Sequence, residues 1–239
     1  MRFVKICSQI DVEKSNKFPF VFLLICYWIG SYDDLGHKVI TRLQSEDFIF
    51  EWMTVIFLTL SSIFLLKIFL SFRKNKLSKI IKYFFLALSI FFLFWALEEI
   101  SWGQRIFNFS WEYISQNNSQ NEVNFHNLKF FHSHLPKIYI VFCSIVCFLC
   151  LIKKNKSNIF LPEKKLLYFF FLPGLYYLVG ELIINFPISY QGVHNTYTFS
   201  RSNIFAFQEI NEFLLALGAF LYSINLTRKI KYQKVHNTP

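Results

Sequence analysis

Charged residues are scarce in this chain. Asp, Glu, Lys and Arg make up 17% of its 239 residues, whereas about 25% is usual for a soluble globular domain. Hydrophobic residues make up 54%, and the mean hydropathy is +0.36. This composition excludes an ordinary soluble domain and predicts an all-α protein that crosses a membrane several times.

Glycine is also scarce, with 7 residues against 32 phenylalanines. Membrane helices that approach each other closely usually do so through small residues, as in the G-x-x-x-G motif. The sequence therefore predicts that bulky aromatic side chains make most of the contacts between its helices.

Several familiar signatures are missing. The chain has no H-E-x-x-H zinc motif, and its five cysteines lack the spacing of a disulfide framework or a zinc site. Cys143, Cys147 and Cys150 share one stripe of a predicted helix, which is typical of buried, reduced cysteines. The apolar run that begins at Phe18 ends without a small-residue cleavage site, so we expect a retained membrane span rather than a signal peptide.

Six apolar segments are candidates for helices that cross the bilayer. They are residues 18–32, 48–72, 80–100, 137–152, 165–186 and 203–226. The whole chain, residues 1–239, is therefore predicted to form a single transmembrane domain. Its third connection, residues 102–136, is predicted to lie on the membrane, because residues 121–135 have the spacing of an amphipathic interfacial helix.

The basic residues predict the orientation of these spans. A net charge of +10 and a pI near 9.3 would suggest nucleic acid in a soluble protein. Here Lys and Arg concentrate before the first span, after the sixth, and in the second and fourth connections, and such clusters mark the cytoplasmic side. Residues 1–17 and 229–239 are thus predicted to be cytoplasmic, and residues 102–136 extracytoplasmic. We expect a plasma membrane of the bacterial type, membrane lipids as partners, and no nucleic acid.

The acidic residues have the opposite distribution. Of fifteen, only Asp11, Glu13 and Glu163 fall on the predicted cytoplasmic side. Five acids occupy similar depths in the outer halves of three spans, namely Glu98, Glu99, Glu181, Glu209 and Glu212. Glu212 lies about ten residues into the sixth span, which is roughly 15 Å at the helical rise and close to mid-membrane. Ionisable groups at such depths are costly unless they meet a partner, water or an ion, so these five are the candidate catalytic residues.

Crowded carboxylates suit three kinds of chemistry: a proton-handling pair, a general acid and base, or a divalent metal site. The sequence leaves these alternatives open and identifies no cofactor. Nearby polar residues are candidates for binding substrate, namely Gln104, Arg105, Asn124, His126, Asn127, His194 and Gln208. Either His126 or His194 could complete a metal site.

Purely structural roles explain part of this pattern. Glu98 and Arg105 are seven residues apart on one helical face, so their charges could pair or be solvated at the membrane interface. Glu209 and Glu212 could belong to a hydrogen-bonded polar cluster that holds the helices together.

The leading hypothesis is a multi-pass membrane enzyme, a hydrolase or transferase, whose outward-facing carboxylate and histidine cavity acts on a lipid or lipid-linked substrate. The alternatives are a proton- or cation-coupled transporter of a small molecule or ion, and a non-catalytic subunit of a membrane complex. A carrier needs a polar path that continues inward. The inner halves of the predicted spans hold only Lys67 as a clear charged residue, which favours the enzyme.

Overall fold

The computed structural model describes most of the chain. It covers residues 14–32, 38–39, 42, 49–71, 79–109, 111–118, 123–125, 128–152, 160–185, 190–191, 196–197 and 207–236. Within these ranges the chain is almost wholly helical, which confirms the predicted all-α class.

The described residues form eight α-helices, five of them longer than 18 residues. The α-helices are α1 Phe18–Tyr32, α2 Ile49–Ser71, α3 Lys79–Glu99, α4 Gln104–Phe107, α5 Glu112–Asn117, α6 Lys129–Leu151, α7 Leu167–Asn185 and α8 Gln208–His236. Turns of 3-10 helix occupy Lys14–Lys17, Ser101–Gly103 and Lys164–Leu166. Two-residue strands, β1 Tyr190–Gln191 and β2 Thr196–Tyr197, pair antiparallel between α7 and α8.

Five of these helices are long and apolar enough to cross a membrane. They are α2, α3, α6, α7 with its preceding turn, and α8. The first predicted span corresponds to α1, whose apolar part, Phe18–Ile29, is shorter than a full crossing. By length and composition this is the helix set of a multi-pass integral membrane protein.

Helix α8 is the centre of the bundle. Within its membrane-length window 78% of the residues are buried, against 22% to 44% in the other four long helices. Helices α2 and α3 form one hairpin and α6 and α7 form another, and α8 packs against α2 from the first and α7 from the second. Helix α8 therefore joins the two hairpins.

Aromatic side chains fill the contacts between α1, α2 and α8, as the sequence predicts. The ring of Phe213 on α8 lies 5.5 Å from Phe22 on α1 and 5.5 Å from Phe50 on α2, measured between centroids. Two turns further along α2, Phe57 lies 5.9 Å from Phe213 and 5.1 Å from Phe220. Such tilted pairs stabilise beyond the area they bury.

Two glycines nevertheless allow close helix approach. A Cβ atom placed on Gly174 of α7 would lie 2.7 Å from the Cβ of Cys143 on α6. A Cβ atom on Gly218 of α8 would lie 2.8 Å from the Cβ of Phe169 on α7. The contacts of α7 with both neighbours thus need a residue without a side chain, which the low glycine content did not lead us to expect.

Two predicted helix boundaries are wrong. Residues 123–125 are not helical, because the backbone N–H groups of Val123 and Phe125 donate to side chains instead, and the helix predicted over 121–135 begins only at Lys129. The sixth span was predicted to end at residue 226, but α8 continues to His236. Its extension is stabilised by burial of Ile230 and by an ion pair of Lys229.

That ion pair lies at the end of the bundle away from the candidate catalytic acids. Glu163 accepts from Lys165 across 2.8 Å and from Lys229 across 2.6 Å, which ties the start of α7 to the last turns of α8. Burial opposes ionisation of Glu163, but hydrogen bonds from Lys165, Lys229 and Asn225 outweigh it and lower the pKa of Glu163 to about 2.

Candidate functional site

The two adjacent glutamates at the end of α3 point to different surroundings. Consecutive residues on an α-helix are about 100° apart around its axis, so their side chains cannot share one face. Glu99 faces α8, whereas Glu98 faces the connection that follows α3. Both side chains are buried, with 8% and 3% of their surfaces exposed.

Three carboxylates converge between α3 and α8. Each of Glu99, Glu209 and Glu212 offers an oxygen atom, and these three atoms lie within 4.8 Å of one another. We call this group the carboxylate cluster. Glu209 and Glu212 are three residues apart on α8 and therefore lie on the same face of that helix.

The depth predicted for Glu212 was too great. Helix α8 begins at Gln208, not at residue 203, so Glu212 lies in the second turn instead of near the middle of the span. Its position at the end of the bundle brings it level with the last turn of α3.

Glu212 accepts three hydrogen bonds at a single oxygen. Its Oε1 accepts from the hydroxyl groups of Tyr139 at 2.9 Å and Tyr177 at 3.3 Å, and from Nε2 of Gln208 at 2.9 Å. The two tyrosine rings are stacked, with centroids 4.6 Å apart and planes 11° apart. Helices α6, α7 and α8 thus meet at this one carboxylate.

Glu99 accepts a hydrogen bond from its own helix and interacts electrostatically with a fourth acid. The indole Nε1 of Trp95, one turn earlier on α3, donates to Oε1 of Glu99 across 2.8 Å. Glu51, in the first turn of α2 and 8% exposed, lies close enough for its charge to act on Glu99. Four acids from three helices therefore share this end of the bundle.

Several of these residues were missed in the sequence analysis. Glu51 lies at the start of an apolar run, as Glu98 and Glu99 lie at the end of one, so its position was an available signal. Trp95 lies four residues before Glu99, a spacing that brings two side chains together on one helical face. Tyr139 and Tyr177 gave no such signal, because their contact with Glu212 depends on how three separate helices pack.

A cavity of about 290 Å³ lies beside the cluster, between α3, α6 and residue 125. Its walls are mainly aromatic and aliphatic, and it is lined by Phe91, Phe94, Trp95, Glu98, Phe125, Phe131, Leu135, Ile138, Tyr139 and Phe142. We call it the aromatic cavity. The sequence predicted a cavity with acidic walls at this end. Among the described residues that line this cavity, Glu98 is the single acid.

The connection after α3 folds back over this cavity. Ser101, Trp102 and Gly103 all have left-handed backbone conformations, with φ of 47°, 55° and 80°. Farther along the chain, residues 123–125 lie against the end of α3. There the N–H of Phe125 donates to Oε2 of Glu98 across 2.7 Å.

The predicted site residues thus separate into distinct groups. Glu99, Glu209, Glu212 and Gln208 come together in or beside the cluster. Glu98, Gln104 and Asn124 belong to the hydrogen-bonded connection after α3. Glu181 is buried on α7 but is not a member of the cluster.

The remaining candidates are not placed. Arg105 lies in α4, but its side chain is outside the described part of the structure, and His126, Asn127 and His194 lie wholly outside the described residues. Their predicted roles in binding substrate or metal stay predictions.

Three carboxylates this close repel one another unless protons or a cation neutralise part of their charge. All the ligand atoms that the cluster offers are carboxylate oxygens, which suit hard cations such as Mg²⁺, Ca²⁺ or Mn²⁺. The same oxygens, joined to tyrosine hydroxyls, also suit proton transfer. The geometry therefore fits acid–base chemistry or a hard divalent ion.

No protein-family model, curated protein or solved structure matches this chain. Function is accordingly inferred from the geometry of its own residues.

Proposed function

We propose that this chain is a membrane-embedded enzyme, a hydrolase or transferase, that performs acid–base chemistry on a lipid or lipid-linked substrate. The apolar chain of the substrate occupies the aromatic cavity. Glu212 and Glu99 are the reacting carboxylates, and Glu209 shares their charge or proton.

The main support for this proposal is that two residues line the cavity and also contact the cluster. Trp95 and Tyr139 line the aromatic cavity, and their polar atoms donate to Glu99 and Glu212. A ligand in the cavity therefore contacts the two side chains that hydrogen-bond directly to the carboxylates. An apolar binding site with a few convergent polar groups is the usual form of a ligand site.

The cavity walls favour a hydrocarbon chain as the occupant. Phe91, Phe94 and Ile138 line it and are also 44%, 43% and 51% exposed on the outer faces of α3 and α6. Those faces belong to helices of membrane length, so a chain could enter sideways from the lipid. A polar small molecule would find few partners on these walls.

The hydroxyl group of Tyr139 offers a route for a proton. When a ligand hydroxyl or a water molecule in the cavity gives its proton to the Tyr139 oxygen, the Tyr139 hydrogen passes to Oε1 of Glu212. The net step removes one proton from the nucleophile and places it on the carboxylate, leaving Tyr139 unchanged. General-base assistance of this kind contributes about 10²–10⁴-fold to a rate.

The packing below the cluster argues against the carrier alternative. Toward the other end of the bundle the core between α2, α3 and α8 is apolar, with Leu58, Leu65, Phe85 and Phe92 all buried. The buried Ser62 and Ser89 in this region hydrogen-bond to each other. Among the described residues, this core does not provide the inward polar path that transport requires.

We further propose that the cluster faces the outside of the cell and that both termini are cytoplasmic, in a plasma membrane of the bacterial type. The Lys and Arg distribution supports this orientation. Reporter fusions at residues 77, 159 and 235 should all report from the cytoplasm. A fusion that reports from the outside contradicts the orientation.

The function is tested by reconstituting the purified protein in vesicles of bacterial polar lipids and analysing the lipids by mass spectrometry. The wild type is expected to convert one lipid class over time. Glu212→Gln, which keeps the side-chain shape but removes the proton acceptor, should abolish the conversion. Glu112→Gln, at an exposed acid on α5, is the matched control and should leave the conversion intact. Unchanged lipids with the wild type contradict the proposal.

A further inference from the structure

The segment 123–125, here called the strap, is fixed to the end of α3 by side chains. Oε1 of Gln104 accepts from the N–H of Val123 across 2.6 Å, and Oε2 of Glu98 accepts from the N–H of Phe125 across 2.7 Å. Between them, Nδ2 of Asn124 donates to Oγ of Ser101 across 3.1 Å. Three consecutive residues of the strap are thus held by three residues at the exit of α3.

The base of the strap is closed separately. Asn118 and Leu128 form an isolated antiparallel bridge. Nδ2 of Asn118 also donates to the carbonyl oxygen of Asn124 across 2.9 Å and to its Oδ1 across 2.7 Å. Val123 and Asn124 are consequently 4% and 1% exposed, which is unusual for a connection between helices.

Glu98 accepts hydrogen bonds from two of three aromatic residues that pack together at one corner of the cavity. One of its oxygens accepts from the Phe125 backbone, and the other accepts from the indole of Trp102. The Trp102 ring meets Phe94 and Phe125 edge to face, with centroids 5.4 Å and 6.3 Å away. Phe94 and Phe125 are stacked at 6.5 Å, so the three rings form a closed corner.

The backbone at this turn is conformationally costly. Left-handed conformations disfavour residues with a Cβ by about 1–2 kcal/mol each, and both Ser101 and Trp102 adopt them. Such residues persist where the surrounding contacts hold them. Here Ser101 is held by the strap through Asn124, and Trp102 is held by Glu98 of α3 through its indole.

From this geometry we infer that Phe125 determines the bulk of the hydrocarbon chain that the aromatic cavity accepts, and that Glu98 is the positioning residue that holds it there. This inference depends on the proposed lipid-binding role of the cavity. Phe125 lines the cavity at its rim and is 39% exposed. Both oxygens of Glu98 are engaged by the strap and by Trp102, which suits a positioning role and leaves the proton chemistry to Glu99 and Glu212.

The position of the strap is tested by hydrogen exchange on the full-length protein in vesicles, which needs no turnover. Glu98→Ala removes the acceptor of the Phe125 N–H and should speed exchange of the 123–125 amides about tenfold, the effect of losing a charged hydrogen bond. Glu98→Gln retains one acceptor oxygen and should give a smaller increase. Glu112→Gln is the control and should give none. Exchange that is equally slow in Glu98→Ala and the parent overturns the inference.

Chain selectivity is tested with two phospholipid probes that carry brominated acyl chains, one straight and one methyl-branched. Occupancy of the cavity is reported by fluorescence quenching of the two remaining tryptophans, Trp95 and Trp102, in a parent where the exposed Trp28, Trp52 and Trp111 are replaced by phenylalanine. Phe125→Ala should raise the branched-to-straight quenching ratio about fourfold for each extra methyl group buried. Phe125→Leu should give a smaller rise. An unchanged ratio in Phe125→Ala overturns the role of Phe125.

These readouts are separable from the proposed chemistry. Glu212→Gln should abolish lipid conversion while leaving both exchange at the strap and the quenching ratio unchanged. If the ratio responds to Phe125→Ala but no conversion is seen with the wild type, the inference stands and the proposed enzyme activity is wrong.

Discussion

The hydroxyl group of Tyr139 donates to Oε1 of Glu212 across 2.9 Å and so joins the wall of the aromatic cavity to the carboxylate cluster. Tyr139 comes from α6 and Glu212 from α8, which share no hairpin. The contact therefore exists only when the α6–α7 hairpin is docked on the central helix. A variant without the Tyr139 hydroxyl therefore distinguishes binding in the cavity from chemistry at the cluster.

Tyr139→Phe should reduce lipid conversion at least about hundredfold, because the proton route from the cavity to Glu212 is lost. It should also lower the free energy of unfolding by about 1–2 kcal/mol, the effect of one buried hydrogen bond to a carboxylate. Tyr222→Phe is a matched control, since the Tyr222 hydroxyl donates to the carbonyl of Phe160 across 2.7 Å toward the other end of the bundle. The control should lose stability but keep activity; equal activity in both variants is inconsistent with a role for Tyr139.

Glu209→Gln should stabilise the protein when divalent ions are chelated, because it removes one of three mutually repelling carboxylates. Two unit charges 4–5 Å apart repel by about 3–4 kcal/mol at an effective dielectric of about 20. Partial protonation reduces this, so the net gain should be about 1 kcal/mol in the free energy of unfolding. Glu112→Gln, on the surface, should change stability little. A lower melting temperature for Glu209→Gln argues against repulsion within the cluster.

Metal analysis of purified wild type, Glu99→Gln and Glu212→Gln distinguishes the two ways of neutralising the cluster. The proton-transfer account predicts no stoichiometric divalent metal in any of the three proteins. Stoichiometric metal in the wild type that is lost in both variants would assign the cluster to a cation instead. Hard cations prefer such all-oxygen ligand sets, which makes this measurement decisive between the two.

Gly218→Ala should destabilise the contact between α7 and α8. An alanine normally favours a helix by about 0.5–1 kcal/mol over glycine, but here its Cβ would lie 2.8 Å from the Cβ of Phe169. Overpacking of this kind costs about 1–3 kcal/mol. Thermal unfolding in detergent should therefore show a lower melting temperature. Leu175→Ala, on the exposed face of α7, should have a smaller effect.

The ion pairs of Glu163 should make stability depend on pH in the acid range. The pKa of Glu163 in the folded protein is about 2, below its usual 4.5. The ionised form is favoured by folding, so its contribution is complete above pH 4.5 and is lost as the pH falls toward 2. The stability difference between wild type and Glu163→Gln, about 1–2 kcal/mol once solvent screening of this half-buried group is allowed for, should be constant near neutral pH and shrink over that window. A difference that does not vary between pH 5 and 2 would rule out this linkage.

Composition and apolar runs were sufficient to predict the helix set, because a membrane span is defined by the length of its apolar segment. They also predicted that acids from separate spans collect at one end, and Glu99, Glu209 and Glu212 do so. They could not predict that two adjacent acids have different partners. Glu98 and Glu99 differ only in which side of α3 they face. That depends on the packing of α8 on one side and of the strap on the other.

The loop after α3 was the least predictable region. Residues 121–135 have helical spacing, yet Val123 and Phe125 bond to Gln104 and Glu98, nineteen and twenty-seven residues earlier in the chain. Local patterns carry no information about partners at such distances. The aromatic cavity was unpredictable for the same reason, since its walls come from α3, α6 and the strap.

The account is tested most directly by photo-crosslinking with a phospholipid that carries a diazirine on its acyl chain, followed by mapping of the labelled residues. A chain in the aromatic cavity should label Leu135 and Phe142 more strongly than Val141 and Phe148, which are 59% and 67% exposed on the outer face of α6. Leu135→Trp, which fills the cavity, should abolish this excess. Labelling that simply follows exposure, with Val141 and Phe148 strongest and no effect of Leu135→Trp, would contradict a lipid site beside the carboxylates.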